Sequence, residues 1–273
     1  MDRHQLVFVG GGNLGTALLS GLLGGESPRY TPDQIQVVES SAERAAYLRD
    51  RFGIATPPLA EAVRTASTVL IAVKPHHVGG LLADLVGEVA DDQLLISAAG
   101  GVRIGQIEQA LSTKTPVVRC MPNTPAAVGE GMIALAGGTH ATPAHLAEVE
   151  ALLQTVGRVV QVPEQQLDAI TAISGSGPAY FFYLAEALID AAVLVGLPRP
   201  FAEELVIQTA VGAAMMLREP GADPVQLRAA VSSPGGMTIA AVREFENRAV
   251  RSAVMAAAEA ARDRSIALAE ASQ

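Results

Sequence analysis

A glycine-rich turn between an apolar strand and a helix constrains this chain more than any other feature. A short apolar run ends at Val9 and is followed by Gly10, Gly12 and Gly15 in the spacing G-x-G-x-x-G, and apolar residues then recur at helical spacing as far as Leu23. In this context the first glycine permits a tight turn, the second lets a pyrophosphate approach the backbone, and the third lets helix and strand pack closely. The pattern predicts a dinucleotide site at the start of the helix.

The first half of the chain alternates apolar strands with helical segments. The strand runs are continuously apolar, which is typical of a sheet covered on both faces. Their regular separation by helices predicts βαβ units and a doubly wound, mainly parallel α/β sheet. We therefore predict a dinucleotide-binding domain over residues 1–162. Its strands are expected at residues 6–9, 35–38, 69–73, 94–97 and 116–120, with edge strands at 132–136 and 158–162 around a helix near 143–155.

The second half has a different texture. Residues 163–273 show no strand pattern, only Ala-rich stretches with breaks at 174–178, 196–200, 219–224 and 233–236, and we predict an all-helical substrate and dimerisation domain. Several of these helices are apolar nearly all round and need burial on every face, which predicts a homo-oligomer. A compact monomeric bundle is the alternative.

Composition narrows the class of partner. The formal net charge is −9 and no basic cluster is present, which argues against nucleic-acid binding. One cysteine, Cys120, fits a reducing, cytoplasmic compartment. The start of the chain lacks a signal-peptide pattern. The most membrane-like stretch, residues 180–197, contains Glu186 and Asp190, so we interpret it as a buried helix of a soluble protein rather than a membrane span.

The second half lacks lysine and histidine, two of the usual proton donors of carbonyl reduction. Tyr180 and Tyr183 remain possible acids, but no lysine lies four residues after either of them. The only lysines are Lys74 and Lys114, and the last histidine is His145. Reducing a ketone leaves an alkoxide that needs a positioned acid, whereas reducing an iminium ion yields a neutral amine without one. The absence therefore favours an imine as hydride acceptor. We find no metal-ligand spacing, and we interpret His76 and His77 as loop residues.

The end of the second predicted strand bears on the choice between NADH and NADPH. An acid there hydrogen-bonds the ribose 2′-hydroxyl and repels a 2′-phosphate, whereas serine with a nearby arginine favours the phosphate. Glu39 favours NADH, and Ser40, Ser41 and Arg44 favour NADPH. The two signals conflict, and the preference stays open at this point.

A second glycine-containing loop lies at residues 231–238. Ser233 before a proline predicts a helix start, with the serine as cap and the proline in the first turn. Gly235 and Gly236 would leave backbone N–H groups open to a carboxylate, and Thr238 could direct its hydroxyl at a neighbouring atom. A well-capped helix without a ligand is the alternative.

Taken in order, these motifs resemble the pyrroline-5-carboxylate reductase family over nearly the whole chain. The matching segments are the glycine turn, Ala72-Val73-Lys74-Pro75, Met121-Pro122-Asn123-Thr124-Pro125, Ser174-Gly175-Ser176-Gly177-Pro178-Ala179-Tyr180 and the loop from Ser233 to Thr238. The resemblance implies a Rossmann domain followed by a helical dimerisation domain, with dimers that assemble into decamers in many members. It implies reduction of 1-pyrroline-5-carboxylate to L-proline with NADPH or NADH, the last step of proline biosynthesis.

The resemblance also assigns roles to individual residues. It places the substrate carboxylate at the loop of Ser233, Gly235, Gly236 and Met237, with Met237 contacting through its backbone, the ring nitrogen at Thr238 as the catalytic residue, and proline binding at Glu164. Leu59 and Ala230 stand where many members have an Asn near the cofactor, and these departures bear on cofactor preference. The implied cofactor contacts are Gly10, Gly12, Asn13, Leu14 and Gly15 at the pyrophosphate, Ser41 at the adenosine ribose, and Ala72, Val73, Lys74, Pro75, Ala98 and Gly100 on the nicotinamide side.

Three other functions remain to be weighed. A β-hydroxyacid dehydrogenase shares the two-domain plan, but it needs a lysine on the helix between the domains, and residues 174–191 contain none. An imine reductase for another ring and a non-catalytic nicotinamide-binding module are the further alternatives; the module would not need the loop at residues 233–238.

Overall fold

The computed structural model describes residues 4–24 and 28–271. The chain forms two compact units, one of Met1–Ser176 with Ala260–Gln273 and one of Gly177–Glu259. The boundary that we predict after residue 162, where the strand-rich part ends, therefore lies inside the first unit.

The first unit is built on a seven-stranded sheet of order β2-β1-β3-β4-β5-β6-β7. All neighbouring strands are parallel except β5 and β6, which pair antiparallel. The predicted doubly wound, mainly parallel fold is confirmed. The strands are β1 (His4–Val9), β2 (Ile35–Val38), β3 (Ala66–Ile71), β4 (Leu94–Ser97), β5 (Val117–Met121), β6 (Gly131–Gly137) and β7 (Gly157–Gln161). The helices are α1 (Asn13–Leu23), α2 (Ala42–Phe52), α3 (Leu59–Thr65), α4 (Pro75–Leu85), α5 (Ile104–Leu111), α6 (Pro143–Leu153) and α7 (Leu167–Ile170).

The continuous apolar runs follow from burial on both faces of this sheet. Along β1, Val7 and Val9 belong to one apolar cluster and Leu6 and Phe8 to the other. All four are at most 4% exposed. Because successive side chains of a strand point to opposite faces, a strand covered on both sides must be apolar at every position.

Two strand predictions differ from the structure in ways that matter. The third strand ends at Ile71 rather than at residue 73, so Ala72 and Val73 lie beyond the end of the strand. The strand predicted at 132–136 is not at an edge, because β6 lies between β5 and β7. Its antiparallel pairing with β5 follows from a connection too short to hold a crossover helix.

The second unit is helical. Its helices are α8 (Gly177–Leu194), α9 (Arg199–Arg218), α10 (Pro224–Ala230), α11 (Met237–Asn247) and the first part of α12 (Val250–Ala271). The described residues after Gln161 contain no strand, and each predicted break lies at or beside a helix end.

Large apolar side chains of the second unit are exposed within a single chain. Phe181 is 73% exposed and Tyr183 75%. Glu164–Leu194 is the one helical stretch in the described part of the chain that is long and apolar enough to cross a membrane by length and composition. The prediction that this helix is buried is therefore wrong for an isolated chain. Exposed apolar surface of this extent is typical of a site that a partner covers.

The last turns of α12 belong to the first unit. The hydroxyl of Ser265 donates to Oδ1 of Asp168 at 2.7 Å, and Ser265 is 6% exposed. Nε2 of Gln106 donates to the carbonyl of Ala269 at 3.4 Å, and Ala269 is 1% exposed. The first unit is thus assembled from both ends of the chain.

Candidate active site

The glycine turn has the geometry that a bound pyrophosphate requires. Gly10 has φ +107°, and a Cβ there would lie 2.8 Å from the carbonyl oxygen of Ala72. A Cβ on Gly15 would lie 2.4 Å from the carbonyl oxygen of Gly10, so α1 can approach β1 only if this residue is glycine. At Gly12, by contrast, a Cβ would meet nothing within 4 Å. The open space at Gly12, the residue just before α1, is where an anion could approach the first N–H groups of the helix.

This turn opens onto a cleft at the carboxyl ends of the parallel strands. The chain proceeds from β1 to β2 in one direction and from β3 to β4 in the other, so the reversal point lies between β1 and β3, where open α/β sheets bind ligands. The cleft has a volume of about 860 Å³. Its lining residues are Val9, Gly10, Gly12, Val38, Glu39, Ser40, Pro57, Pro58, Leu59, Ala72, Val73, Lys74, His76, His77, Gly80, Leu81 and Asp84.

The structure brings together part of the predicted cofactor set. Gly10, Gly12, Ala72, Val73 and Lys74 line the cleft. Among the predicted residues that do not line it, Asn13, Leu14 and Gly15 form the first turn of α1, Ser41 caps α2, Pro75 begins α4, and Ala98 and Gly100 follow β4. The end of β3 at Ile71 is what releases the Ala72–Lys74 segment to the cleft wall.

The carboxylate of Glu39 is fixed at the edge of this cleft. Its Oε2 accepts a hydrogen bond from the backbone N–H of Gly11 at 2.9 Å, and its Oε1 accepts from the backbone N–H of Ser41 at 2.9 Å. Each bond is charge-assisted and holds the carboxylate between the glycine turn and the end of β2.

Arg44 is tied to the outside of the same turn. Its Nε donates to the carbonyl oxygen of Gly11 at 2.7 Å, and its Nη2 donates to the hydroxyl of Thr16. Its guanidinium lies 4.5 Å from the ring centroid of Tyr47. Arg44 therefore braces the turn and does not line the cleft.

A buried ion pair, which the sequence patterns do not indicate, holds Glu164. Nη1 of Arg119 donates to Oε1 of Glu164 at 3.0 Å, and the two side chains are 2% and 26% exposed. The same oxygen accepts from the backbone N–H of Ile104 at 2.8 Å. Arg119 lies on the third position of β5, inside a strand that otherwise reads as apolar, and a charged residue at such a position is the signal that could have revealed the pair.

The predicted substrate loop is a tight turn before a helix. Gly235 has φ +69°, and the N–H of Gly236 donates to the carbonyl of Ser233 at 3.0 Å. The predicted helix start at Ser233 is wrong: α11 begins at Met237 with Gly236 as its N-cap and no side-chain cap, because the left-handed Gly235 turns the chain first. Thr238 is exposed and lies in the first turn of α11.

The two histidines and the cysteine have different surroundings. His76 and His77 lie in the first turn of α4 rather than in a loop, and both line the cleft. Cys120 is buried, and burial raises the pKa of its thiol to about 12, partly offset by the charge of Arg119. This thiol stays protonated and is not a nucleophile.

Comparison with known proteins identifies the family. The chain is 45% identical to a pyrroline-5-carboxylate reductase from Mycobacterium tuberculosis over 96% of its own length and 95% of the relative's. The chain belongs to the pyrroline-5-carboxylate reductase family. A reductase of the same name from Corynebacterium melassecola is 42% identical, covering 95% of this chain and 97% of that protein.

Family models match both parts of the reductase. Residues 164–268 match a model described as pyrroline-5-carboxylate reductase dimerisation, and residues 5–101 match one described as NADP oxidoreductase, coenzyme F420-dependent. A Plasmodium falciparum pyrroline carboxylate reductase with NADP bound superimposes with a TM-score of 0.89 at 30% identity, covering 98% of this chain and 99% of that one. The match to a dimerisation domain confirms the predicted homo-oligomer and explains the exposed apolar helices of the second unit.

Proposed function

We propose that this reductase transfers a hydride from NADPH or NADH to the C=N carbon of 1-pyrroline-5-carboxylate and forms L-proline. Membership of the family carries the proposal, and the cleft at the reversal point of the sheet supports it. The reaction is balanced without a further reactant: the hydride adds to carbon, and the protonated imine nitrogen becomes the amine.

The residues of the cleft fit a nicotinamide dinucleotide. The space at Gly12 and the first N–H groups of α1, from Asn13, Leu14 and Gly15, are suited to the pyrophosphate. The reduced nicotinamide, when bound, supplies the hydride. In this proposal Ser41 lies near the adenosine ribose, and Ala72, Val73, Lys74, Pro75, Ala98 and Gly100 form the nicotinamide side.

The turn before α11 is suited to the substrate carboxylate. The first N–H groups of a helix have no partner within the helix, and α11 has no side-chain cap that would occupy them. We assign the carboxylate to the turn of Ser233, Gly235 and Gly236 with the backbone of Met237. The hydroxyl oxygen of Thr238 accepts a hydrogen bond from the protonated ring nitrogen and thereby orients the C=N bond for hydride addition.

Glu164 is the remaining proposed substrate-binding residue. Arg119 and the N–H of Ile104 both hold its Oε1, so the carboxylate has a fixed direction before any ligand binds. A preorganised acceptor loses little entropy when a cationic or N–H-bearing ligand arrives.

We also propose a cytoplasmic enzyme that assembles as a dimer or as a decamer of five dimers. The matched dimerisation model and the exposed apolar helices support assembly through the second unit. The buried free thiol of Cys120 fits a reducing compartment. Light scattering distinguishes dimer from decamer.

The deciding experiment mixes the purified chain with 1-pyrroline-5-carboxylate and either NADH or NADPH and follows loss of the reduced nicotinamide. We expect turnover and formation of proline. A β-hydroxy acid with NAD or NADP serves as the control substrate and should give none. Absence of turnover with both cofactors would overturn the proposal.

A further inference from the structure

The residue after β2 carries a carboxylate that is held in a fixed position beside the cleft. Glu39 lines the cleft, and backbone N–H groups of Gly11 and Ser41 hold its two oxygens at 2.9 Å each. The hydroxyl of Ser40 also donates to Oε1 at 3.4 Å. A carboxylate oxygen has two acceptor positions, so Oε2, which accepts only from Gly11, can still accept a bond from a ribose hydroxyl.

The nearby cation is not directed at this position. Arg44 is the cation that would favour a 2′-phosphate, but two of its donors are bound to the carbonyl of Gly11 and the hydroxyl of Thr16. Its guanidinium also packs over Tyr47. The hydroxyl of Ser41 accepts from the backbone N–H of Arg44 as the cap of α2. Of the three residues that favour NADPH in the sequence, Arg44 and Ser41 are thus engaged in holding the turn and the helix. The third, Ser40, lines the cleft, and its hydroxyl donates to Glu39.

The other titratable groups of the cleft belong to a different segment. Lys74 follows β3 and the residues His76, His77 and Asp84 lie on α4, whereas Glu39 directly follows β2. At the β2 end a 2′-phosphate, with a charge of about −1.5 to −2, would meet a fixed carboxylate.

We propose that Glu39 makes NADH the preferred hydride donor of this reductase, an inference that rests on the proposed function. The carboxylate accepts the 2′-hydroxyl of NADH and repels the 2′-phosphate of NADPH. This preference would distinguish the chain from the Plasmodium falciparum structure, which holds NADP.

Initial rates with each cofactor test the proposal. We expect kcat/KM with NADH to exceed that with NADPH by at least about tenfold in the natural protein. Glu39→Gln keeps the size and one of the two acceptor oxygens but removes the charge, and it should lower that ratio by about tenfold, chiefly through a lower KM for NADPH. The matched control is Glu43→Gln. Glu43 is an exposed acid in the first turn of α2, four residues after Glu39, and its replacement should leave the ratio unchanged.

Calorimetric titration with NADH and NADPH separates this proposal from the proposed function. Binding needs no imine, so a chain that turned over no substrate would still reveal its preferred cofactor. Glu39→Asp retains the charge and should retain the preference. Tighter binding of NADPH by the natural protein, or an unchanged ratio in folded Glu39→Gln, would refute the role of Glu39.

Discussion

Replacing Glu164 by alanine should destabilise the first unit through the charge that it leaves behind. The Arg119 side chain is 2% exposed, and its Nε and Nη2 have no hydrogen-bond partner among the described residues. Glu164 is therefore the group that compensates this guanidinium. Removing one partner of a buried pair costs about 3–5 kcal/mol. Because the Glu164 side chain is 26% exposed and water reaches it, we expect the lower end, about 3 kcal/mol.

Thermal unfolding measures this loss. For a unit of this size, about 3 kcal/mol corresponds to a Tm lower by about 6–12 °C. The melting curves must be compared at one protein concentration, because association stabilises the folded state. Arg64→Met is the control: Arg64 pairs with Glu88 at 2.6 Å but is 66% exposed, so its loss should cost less than about 1 kcal/mol.

The double variant Arg119→Met with Glu164→Leu provides the sharper comparison. If uncompensated charge is the cause, removing both partners restores most of the stability that Glu164→Ala loses. If the double variant is destabilised by the sum of the two single changes, the argument from buried charge is wrong. It is also wrong if Glu164→Ala has the same Tm as the Arg64→Met control.

Three further predictions concern the turn, the substrate loop and the thiol. Gly12→Ala should fold normally and lose cofactor binding in calorimetry, whereas Gly15→Ala, with its Cβ 2.4 Å from the carbonyl of Gly10, should lower the Tm; equal Tm values would contradict this. Thr238→Ala should lower kcat/KM by an amount that corresponds to about 1–3 kcal/mol of activation free energy, and Thr238→Ser should retain the activity. An unchanged kcat/KM in Thr238→Ala would refute the hydrogen bond. Burial raises the pKa of the Cys120 thiol from 9.0 to about 12, so this thiol should resist thiol reagents at mildly alkaline pH until the protein unfolds. The stability that the protonated thiol contributes should be lost as the pH rises from 9 to 12. Labelling of the folded protein at mildly alkaline pH would refute this.

The sequence predicts those parts of the fold that are determined by patterns within a few neighbouring residues. Continuous apolar runs, the spacing of Gly10, Gly12 and Gly15, and proline-marked breaks each restrict the backbone within a few residues, and the strands and helices appear where these patterns occur. The sequence places the start of α11 at Ser233, which is too early. A serine before a proline caps a helix only when the next residues are helical, and here Gly235 has a left-handed conformation that no helix continues.

The contacts of the site depend on pairings that no local pattern contains. Arg119 and Glu164 are 45 positions apart, and Gly11 and Glu39 are 28 apart. The sequence shows that Glu39 and Ser41 favour different cofactors, but only the folded turn shows which of them faces the cleft. The assignment of Thr238 to the ring nitrogen is a prediction that the kinetics of its variants will decide.

The return of α12 to the first unit constrains how the chain can be made and cut. Ser265 and Ala269 are buried against Asp168 and Gln106, so the sheet unit lacks part of its own surface until the final turns of the chain have been synthesised. During translation the glycine turn and all seven strands leave the ribosome well before that helix does. A protein truncated after Ser176 would carry the whole sheet but expose the patch that α12 covers.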